Sequence, residues 1–247
     1  MNNDICLNNT RIDDLHRNGY KIIQNPDYFC FGVDAVLLSS FAKVKYNENV
    51  LDMCTGNAII PILLEAKTKA KHITGVEIQH DIANMAKDSI NLNKLNDNIT
   101  IIEGDIKLWH DYFKVGSFDV ITCNPPYMQA GIGAINDKSH KSIARHEIMC
   151  NINDVMLSSN KLLKYGGRLY IVHRIDRLCD ILVASRNNNL EPKFIRFVQP
   201  FDNKEANLVL IEFIKGGKSG LKTGLPLVIY NKDGSYTEEV MKIYYGN

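Results

Sequence analysis

Between residues 50 and 187 short runs of branched apolar residues alternate with longer windows of helical periodicity. No other feature constrains the fold as tightly. Residues 50–54, 73–78, 99–103, 118–123 and 168–173 read as strands, the first and fourth of buried type because their apolar residues are nearly continuous. Residues 58–67, 80–93, 152–163 and 174–187 read as helices. In the second of these, Ile82, Ala83, Met85, Ala86, Ile90 and Leu92 recur near helical spacing. Strands separated by helices must join through crossovers, which makes the sheet mainly parallel with helices on both faces. Two later β-rich stretches, 193–200 and 207–214, are parted only by a short loop and predict an antiparallel pair at one edge. The expected fold is α/β: a doubly wound, mostly parallel, Rossmann-like sheet with an antiparallel edge strand in a three-layer α/β/α sandwich.

Ahead of this core, residues 20–24 and 28–31 predict two short strands around the turn Asn25-Pro26-Asp27. Asp34 reads as the N-cap of a helix over 35–42, and Gly166-Gly167 as the stop of the helix over 152–163. Residues 216–224 read as a flexible basic loop without regular structure. The expected organisation is one domain over 1–247, with a 1–45 extension packed on it and a 215–247 basic loop and helical extension. Hydrophobic residues at 45% and charged residues at 23% fit a soluble globular chain, and no apolar run nears the ~20 residues that span a bilayer. The start, M-N-N-D-I-C-L-N-N-T, has neither basic nor apolar signal regions, so a cytoplasmic location and no membrane partner are expected. None of the six cysteines forms a C-x-x-C pair, which points to free thiols and no metal. A net charge of +1 excludes neither nucleic acid nor a small molecule as ligand.

The segment L-D-M-C-T-G-N-A-I-I-P, after the first strand of the alternation, occupies the position where doubly wound folds bind nucleotides. A dinucleotide site needs G-x-G-x-x-G there, and only Gly56 is present; a phosphate-binding P-loop is absent too. S-adenosylmethionine, which has no phosphate, suits such a loop. Its ribose wants an acidic acceptor and its amino-acid end wants a carboxylate and backbone groups. Asp52 precedes the loop, Glu77 ends the second strand and Asp105 follows the third. Each acid alone is equally well a helix cap, but at the ends of consecutive parallel strands the three converge on one crevice. The expected cofactor contacts are Asp52, Cys54, Thr55, Gly56, Asn57, Glu77, Ile78, Asp105, Ile106 and Asn124.

The fourth strand runs into V-I-T-C-N-P-P-Y, and two consecutive prolines are more than a strand terminator needs. With L-D-M-C-T-G-N, G-V-E-I and E-G-D-I, this segment resembles the class I S-adenosylmethionine-dependent methyltransferases over about residues 50–214. The flanks Y-F-C-F-G-V-D-A-V-L-L-S-S-F, A-R-H-E and L-P-L-V-I-Y-N-K-D-G-S-Y-T-E-E-V are similar to the bacterial tRNA1(Val) adenine-37 N6-methyltransferases. The resemblance implies methylation of the exocyclic N6 of an adenine in the anticodon loop of tRNA. It implies a catalytic set of Asn124, Pro125, Pro126 and Tyr127. The Asn124 oxygen and Pro125 carbonyl would accept the two amine hydrogens, the prolines would stiffen the mount, and Tyr127 would stack on the base. One departure is visible: the glycines usual in the loop are Cys54 and Ala58 here.

RNA binding calls for positive charge near the pocket. Lys138, His140, Lys141, Arg145 and His146 follow the motif, and Lys215, Lys218 and Lys222 lie in the late basic loop. Each group reads either as phosphate contacts or as a solvated face. The run Phe29-Cys30-Phe31 with Asp34 either closes over the cofactor or the base, or its apolar residues pack on the core. The protein is expected to act as a monomer. Three rival activities remain open: glutamine N5-methylation of a protein release factor, guanine N2-methylation of ribosomal RNA, and a cofactor-binding relic without catalysis. The first is disfavoured by the short segment ahead of the core, since the enzymes of that kind carry a sizeable helical domain there.

Overall fold

The computed structural model describes residues 9–28, 30–126 and 150–246. Its main sheet is built on β3 (Asn49–Met53), β4 (His72–Glu77), β5 (Ile99–Glu103), β6 (Phe118–Cys123) and β7 (Leu163–Arg174), all mutually parallel where they pair. Helices α2 (Ile59–Lys67) and α3 (His80–Leu92) make the first two crossovers, and α4 (Ile152–Leu162) leads into β7. Beyond β7 the sheet continues antiparallel through β9 (Leu208–Lys215) to β8 (Leu190–Gln199), which follows α5 (Leu178–Asn187). Two short strands, β10 (Lys222–Thr223) and β11 (Leu227–Val228), both add to β8. The spatial order is β10-β8-β9-β7-β6-β3-β4-β5.

Alternation along the strands divides the core between the two sheet faces. Val50, Ile73, Val120 and Tyr170 pack with α2 and with α1 (Val33–Phe41). Leu51, Met53, Ile121 and Leu169 pack with α4 and α5. Both faces of β3 are therefore covered, which is why N-V-L-D-M carries no polar alternation. Asp52 is the exception and is buried on the α1/α2 side.

Four local expectations need correction. Residues 28, 30 and 31 lie outside any strand: the Asn25 side chain accepts from Asp27 N (2.9 Å), and Gln24 Oε1 accepts from Phe31 N (3.1 Å). These bonds satisfy groups that a ladder would use. The partner of β2 (Lys21–Gln24) is instead β1 (Arg11–Asp14), with Ile12 opposite Ile23. Helix α1 starts at Val33 with Gly32 at its N-cap, so Asp34 sits in the first turn rather than capping it. Gly166-Gly167 does not stop a helix, because α4 ends at Leu162 and β7 begins at once. Gly166, at φ +76°, instead serves an irregularity where the pairing with β6 shifts between Phe118–Leu163 and Val120–Arg168. Finally, Lys222–Thr223 is a strand, made by its tertiary partner β8 and not by any local pattern.

The last helix, α6 (Glu238–Tyr245), is tied back to the N-terminal hairpin. Arg17 donates to the carbonyls of Lys242 (2.8 Å), Ile243 (2.9 Å) and Tyr244 (2.9 Å). A cation there satisfies orphan carbonyls and the negative end of the helix dipole together.

Candidate active site

The loop after β3 is wound tightly. Cys54 (φ +56°), Gly56 (φ +57°) and Ala58 (φ +69°) all adopt left-handed backbone. Such a conformation costs an L-residue with a Cβ roughly 1–2 kcal/mol, which explains physically why glycine suits positions 54 and 58. The loop is held from three sides. Thr55 N donates to Val76 O (3.0 Å), Gly56 N to Glu77 Oε2 (3.0 Å), and Asn57 Nδ2 to Ile23 O of the hairpin (3.3 Å).

Asp52 does not reach the cavity. It is fully buried, its Oδ2 accepting from Thr55 Oγ1 (2.7 Å) and its Oδ1 from Thr122 Oγ1 (2.6 Å). Burial pushes its carboxyl up to about 7; the threonine bonds oppose that rise and the Glu77 charge adds to it. Asp52 thus anchors the loop to β6 from below. Gly75 leaves room for this anchor, since a Cβ there would lie 2.8 Å from both Thr55 Oγ1 and Ile101 Cδ1. Gly75→Ala is expected to push Thr55 off Asp52 and to cost about 1–3 kcal/mol for the orphaned carboxylate oxygen. Urea unfolding checks the loss.

Above the loop, at the carboxyl ends of the parallel strands, lies a cavity of about 230 Å³. Its floor is Cys54, Thr55, Gly56 and Asn57; one side is Glu77, Ile78, Asp105 and Ile106; the other is Asn124, Pro125 and Pro126, with Phe31 and Asp34 opposite. Glu77 is buried and accepts from Gln79 N on Oε1 (3.0 Å) and Gly56 N on Oε2 (3.0 Å). Gln79 Nε2 also donates to Oε1 (3.3 Å), so it is Oε2, with one donor, that keeps acceptor capacity. Asp105 combines both roles that its position allowed: its Oδ1 caps the 3-10 segment Ile106–Asp111 through Lys107 N (2.9 Å), and it also lines the cavity. Lys107 Nζ stands 3.5 Å from its other oxygen. Gln79, Ile82 and Cys150 also line the cavity and were not anticipated from the sequence.

Cys54, Cys123 and Cys150 form a thiol cluster beside the floor. The Cys54 thiol is held well above its ordinary value, chiefly by its hydrogen bond with Cys123; burial raises that of Cys123, and the bond to Cys54 with burial raises that of Cys150. Protonated thiols are poor nucleophiles, and this wall packs as soft, polarizable surface.

Asn124 follows β6 directly. Its Nδ2 donates to Asp34 Oδ2 (3.2 Å), while its Oδ1 is buried with no partner. Among the described residues that line the cavity there are three carboxylates and no lysine or arginine. A phosphate would be repelled; a cationic or zwitterionic ligand with ribose hydroxyls fits. Tyr127, Lys138, His140, Lys141, Arg145, His146 and Phe29 lie outside the described residues.

Lys218 and Lys222 are not brought to this cavity. Lys222 is opposite Phe194 in the outermost strand of the order, with four strands between it and β3. Lys218 O accepts from Lys193 Nζ (2.9 Å) near the start of β8. Because β8 runs in the same direction as β3 and β6, that start lies at the end of the sheet away from the cavity. A second cavity, about 430 Å³, lies on the other side of Phe31 among Leu15, Val36, Tyr236 and Tyr244. It contains none of the strand-end groups.

A mostly parallel sheet with helices on both faces, and a crevice where the order turns from β3–β4–β5 back to β6, defines a Rossmann-like α/β protein. Its ligand site is at the topological switch point. A family profile described as "Methyltransferase small domain" matches residues 20–185, and the chain belongs to that family. A curated relative from Aeromonas hydrophila, named tRNA1(Val) (adenine(37)-N6)-methyltransferase, is 27% identical over 86% of this chain and 87% of its own. Relatives of the same name from Haemophilus influenzae and Porphyromonas gingivalis are 26% and 25% identical, covering 91% and 86% of this chain and 93% and 86% of theirs. A solved structure described as a predicted O-methyltransferase from Agrobacterium tumefaciens has the same fold, with TM-score 0.70 at 21% identity over 86% of this chain and 96% of that one. No helix among the described residues is long and apolar enough to cross a membrane.

Proposed function

We propose that this protein transfers a methyl group from S-adenosylmethionine to N6 of an adenine in tRNA, at position 37 beside the anticodon of tRNA1(Val). The observation that carries the reading is Asn124 Oδ1, a buried acceptor without a partner at the wall of a phosphate-repelling cavity. The names of the relatives support the substrate. When bound, S-adenosylmethionine supplies a sulfonium methyl: an N–C bond forms, the S–C bond breaks with its electron pair left on sulfur, and the nitrogen releases one proton to water.

In this reading Glu77 accepts from the ribose hydroxyls, Asp105 meets the adenine amine of the cofactor, and the backbone of residues 54–57 holds its amino-acid end. Asp52 acts beneath them by fixing Thr55. An adenine amine is a weak nucleophile because its lone pair is delocalised into the ring. Acceptance of its hydrogens by Asn124 Oδ1 and the Pro125 carbonyl draws the nitrogen toward a tetrahedral shape and localises that pair. Pro126 restricts the backbone of Pro125 and so keeps the carbonyl aimed. Tyr127, next in sequence, supplies the stacking ring, worth roughly 1–3 kcal/mol per base. Lys138, Lys141, Arg145 and His146 supply phosphate contacts. Lys218 and Lys222 do not line the pocket, and any phosphate they contact lies away from it.

The test is transfer of labelled methyl groups onto unmodified total tRNA, followed by nucleoside identification and site mapping. N6-methyladenosine beside the anticodon of one valine tRNA is the expected product. Label on protein, or on guanine, would overturn the reading.

A further inference from the structure

We propose that Asp34 is a positioning residue that fixes which end of the Asn124 amide faces the cavity. A side-chain amide has two ends of nearly equal shape, one a donor and one an acceptor, and a half-turn exchanges them. The chemistry proposed above depends on that choice. An amine about to be methylated needs acceptors, and an NH2 group turned toward it would offer donors.

The surroundings of Asn124 decide the matter. An ionised carboxylate only accepts, so Asp34 Oδ2, 3.2 Å away, can face Nδ2 and not the amide oxygen. A half-turn would set two acceptors against each other and aim the NH2 into the cavity. With Nδ2 committed to Asp34, the buried Oδ1 is left for a ligand.

Asp34 is itself held. It is 6% exposed, and its Oδ1 accepts from Ala35 N (2.9 Å) in the first turn of α1, where helix N–H groups favour negative charge. The residue two positions before it makes room: a Cβ on Gly32 would lie 2.7 Å from Asp34 Oδ1. The G-V-D run, at 90 residues' separation from Asn124, is built to present one carboxylate oxygen to one amide nitrogen.

This inference rests on Asn124 Oδ1 acting as an acceptor and not on which molecule carries the nitrogen. Reciprocal isosteric variants test it. In Asp34→Asn the new amide keeps its oxygen on Ala35 N and turns its NH2 to Asn124, which then faces it with oxygen and loses the acceptor in the cavity. The turnover number should fall about 10–100-fold while Kd for S-adenosylmethionine stays within about threefold. Asn124→Asp sets two carboxylates together and should lose at least about 100-fold. The double variant Asp34→Asn/Asn124→Asp restores a donor facing an acceptor, and should recover at least about tenfold over Asn124→Asp alone.

Thermal unfolding of all three variants separates loss of fold from loss of rate. An Asp34→Asn enzyme with wild-type turnover, or a double variant no better than the worse single, would overturn the assignment. If the wild type methylates another planar nitrogen, the same variants are compared on that substrate. Failure of the adenine reading and failure of the Asp34 role are then separate results.

Discussion

Replacing Asn124 with alanine is expected to slow methyl transfer about 10²–10³-fold while Kd for S-adenosylmethionine moves by less than about threefold. The asymmetry follows from what each group touches. The cavity-lining positions proposed to hold the cofactor, Glu77, Asp105 and residues 54–57, keep their bonds to backbone and loop in this variant. The substrate amine alone loses an acceptor. Stability should change little, because the alanine removes a buried oxygen that has no partner in the free protein, which offsets the lost bond to Asp34. Single-turnover kinetics beside calorimetric titration of the cofactor measures both quantities. A variant that transfers methyl groups at the wild-type rate would show that Asn124 merely ends a strand.

The second large effect is on stability across pH, where two buried groups act in opposite directions. Asp52 titrates near 3.9 when unfolded but at about 7 in the fold, with burial as the first cause. Between those values the native state holds a proton that the unfolded chain has lost. Stability therefore falls as pH rises through the window and levels off above about 7, with an upper limit of ~4 kcal/mol. His173 is 7% exposed and burial brings its imidazole down to about 4, against an ordinary value of 6.5. Below about pH 6.5 the unfolded chain takes up a proton that the native state refuses, so stability is lost as pH falls toward 4, by roughly 3 kcal/mol.

These slopes oppose each other between about pH 4 and 6.5, and their sum in the wild type should be shallow. Asp52→Asn removes one of them. Its hydrogen bonds survive because a threonine hydroxyl can turn from donor to acceptor. The variant should grow more stable with pH through that window and exceed the wild type by up to ~4 kcal/mol near pH 8. Urea unfolding at about pH 4.5, 5.5, 6.5 and 7.5 provides the curves. Parallel profiles for variant and wild type would mean that Asp52 is ionised throughout.

Residues 99–103 and 118–123 were read from sequence as strands, and the fold has β5 and β6 there with the same limits. For 118–123 the origin of this legibility is burial on both faces, which keeps most of the run apolar; for 99–103, at the sheet edge and only partly buried, it is the run of β-branched residues Ile99 to Ile102. The strand-end residues Glu77, Asp105 and Asn124 were legible for a related reason, since a doubly wound fold gathers the residues after its parallel strands at one end. β1 was not legible, because Arg-Ile-Asp-Asp has no apolar pattern and pairs only because β2 lies beside it.

The partners of the strand-end groups were equally hidden. Nothing local to Asp52 says that Thr122, 70 residues away, will take one of its oxygens and keep it out of the cavity. Nothing local to Asn124 points to Asp34. The late lysines looked alike in sequence to any basic loop near a pocket, until strand order put Lys222 in the outermost strand and strand direction put Lys218 near the start of β8. The sequence by itself determined the layers, the crevice and the residue types that enter it, through patterns that repeat every two or every 3.6 residues. Only the tertiary structure decided which of those residues face the ligand and which hold another in place. Crossover order and strand register set those pairings, and neither has a local signature in the chain.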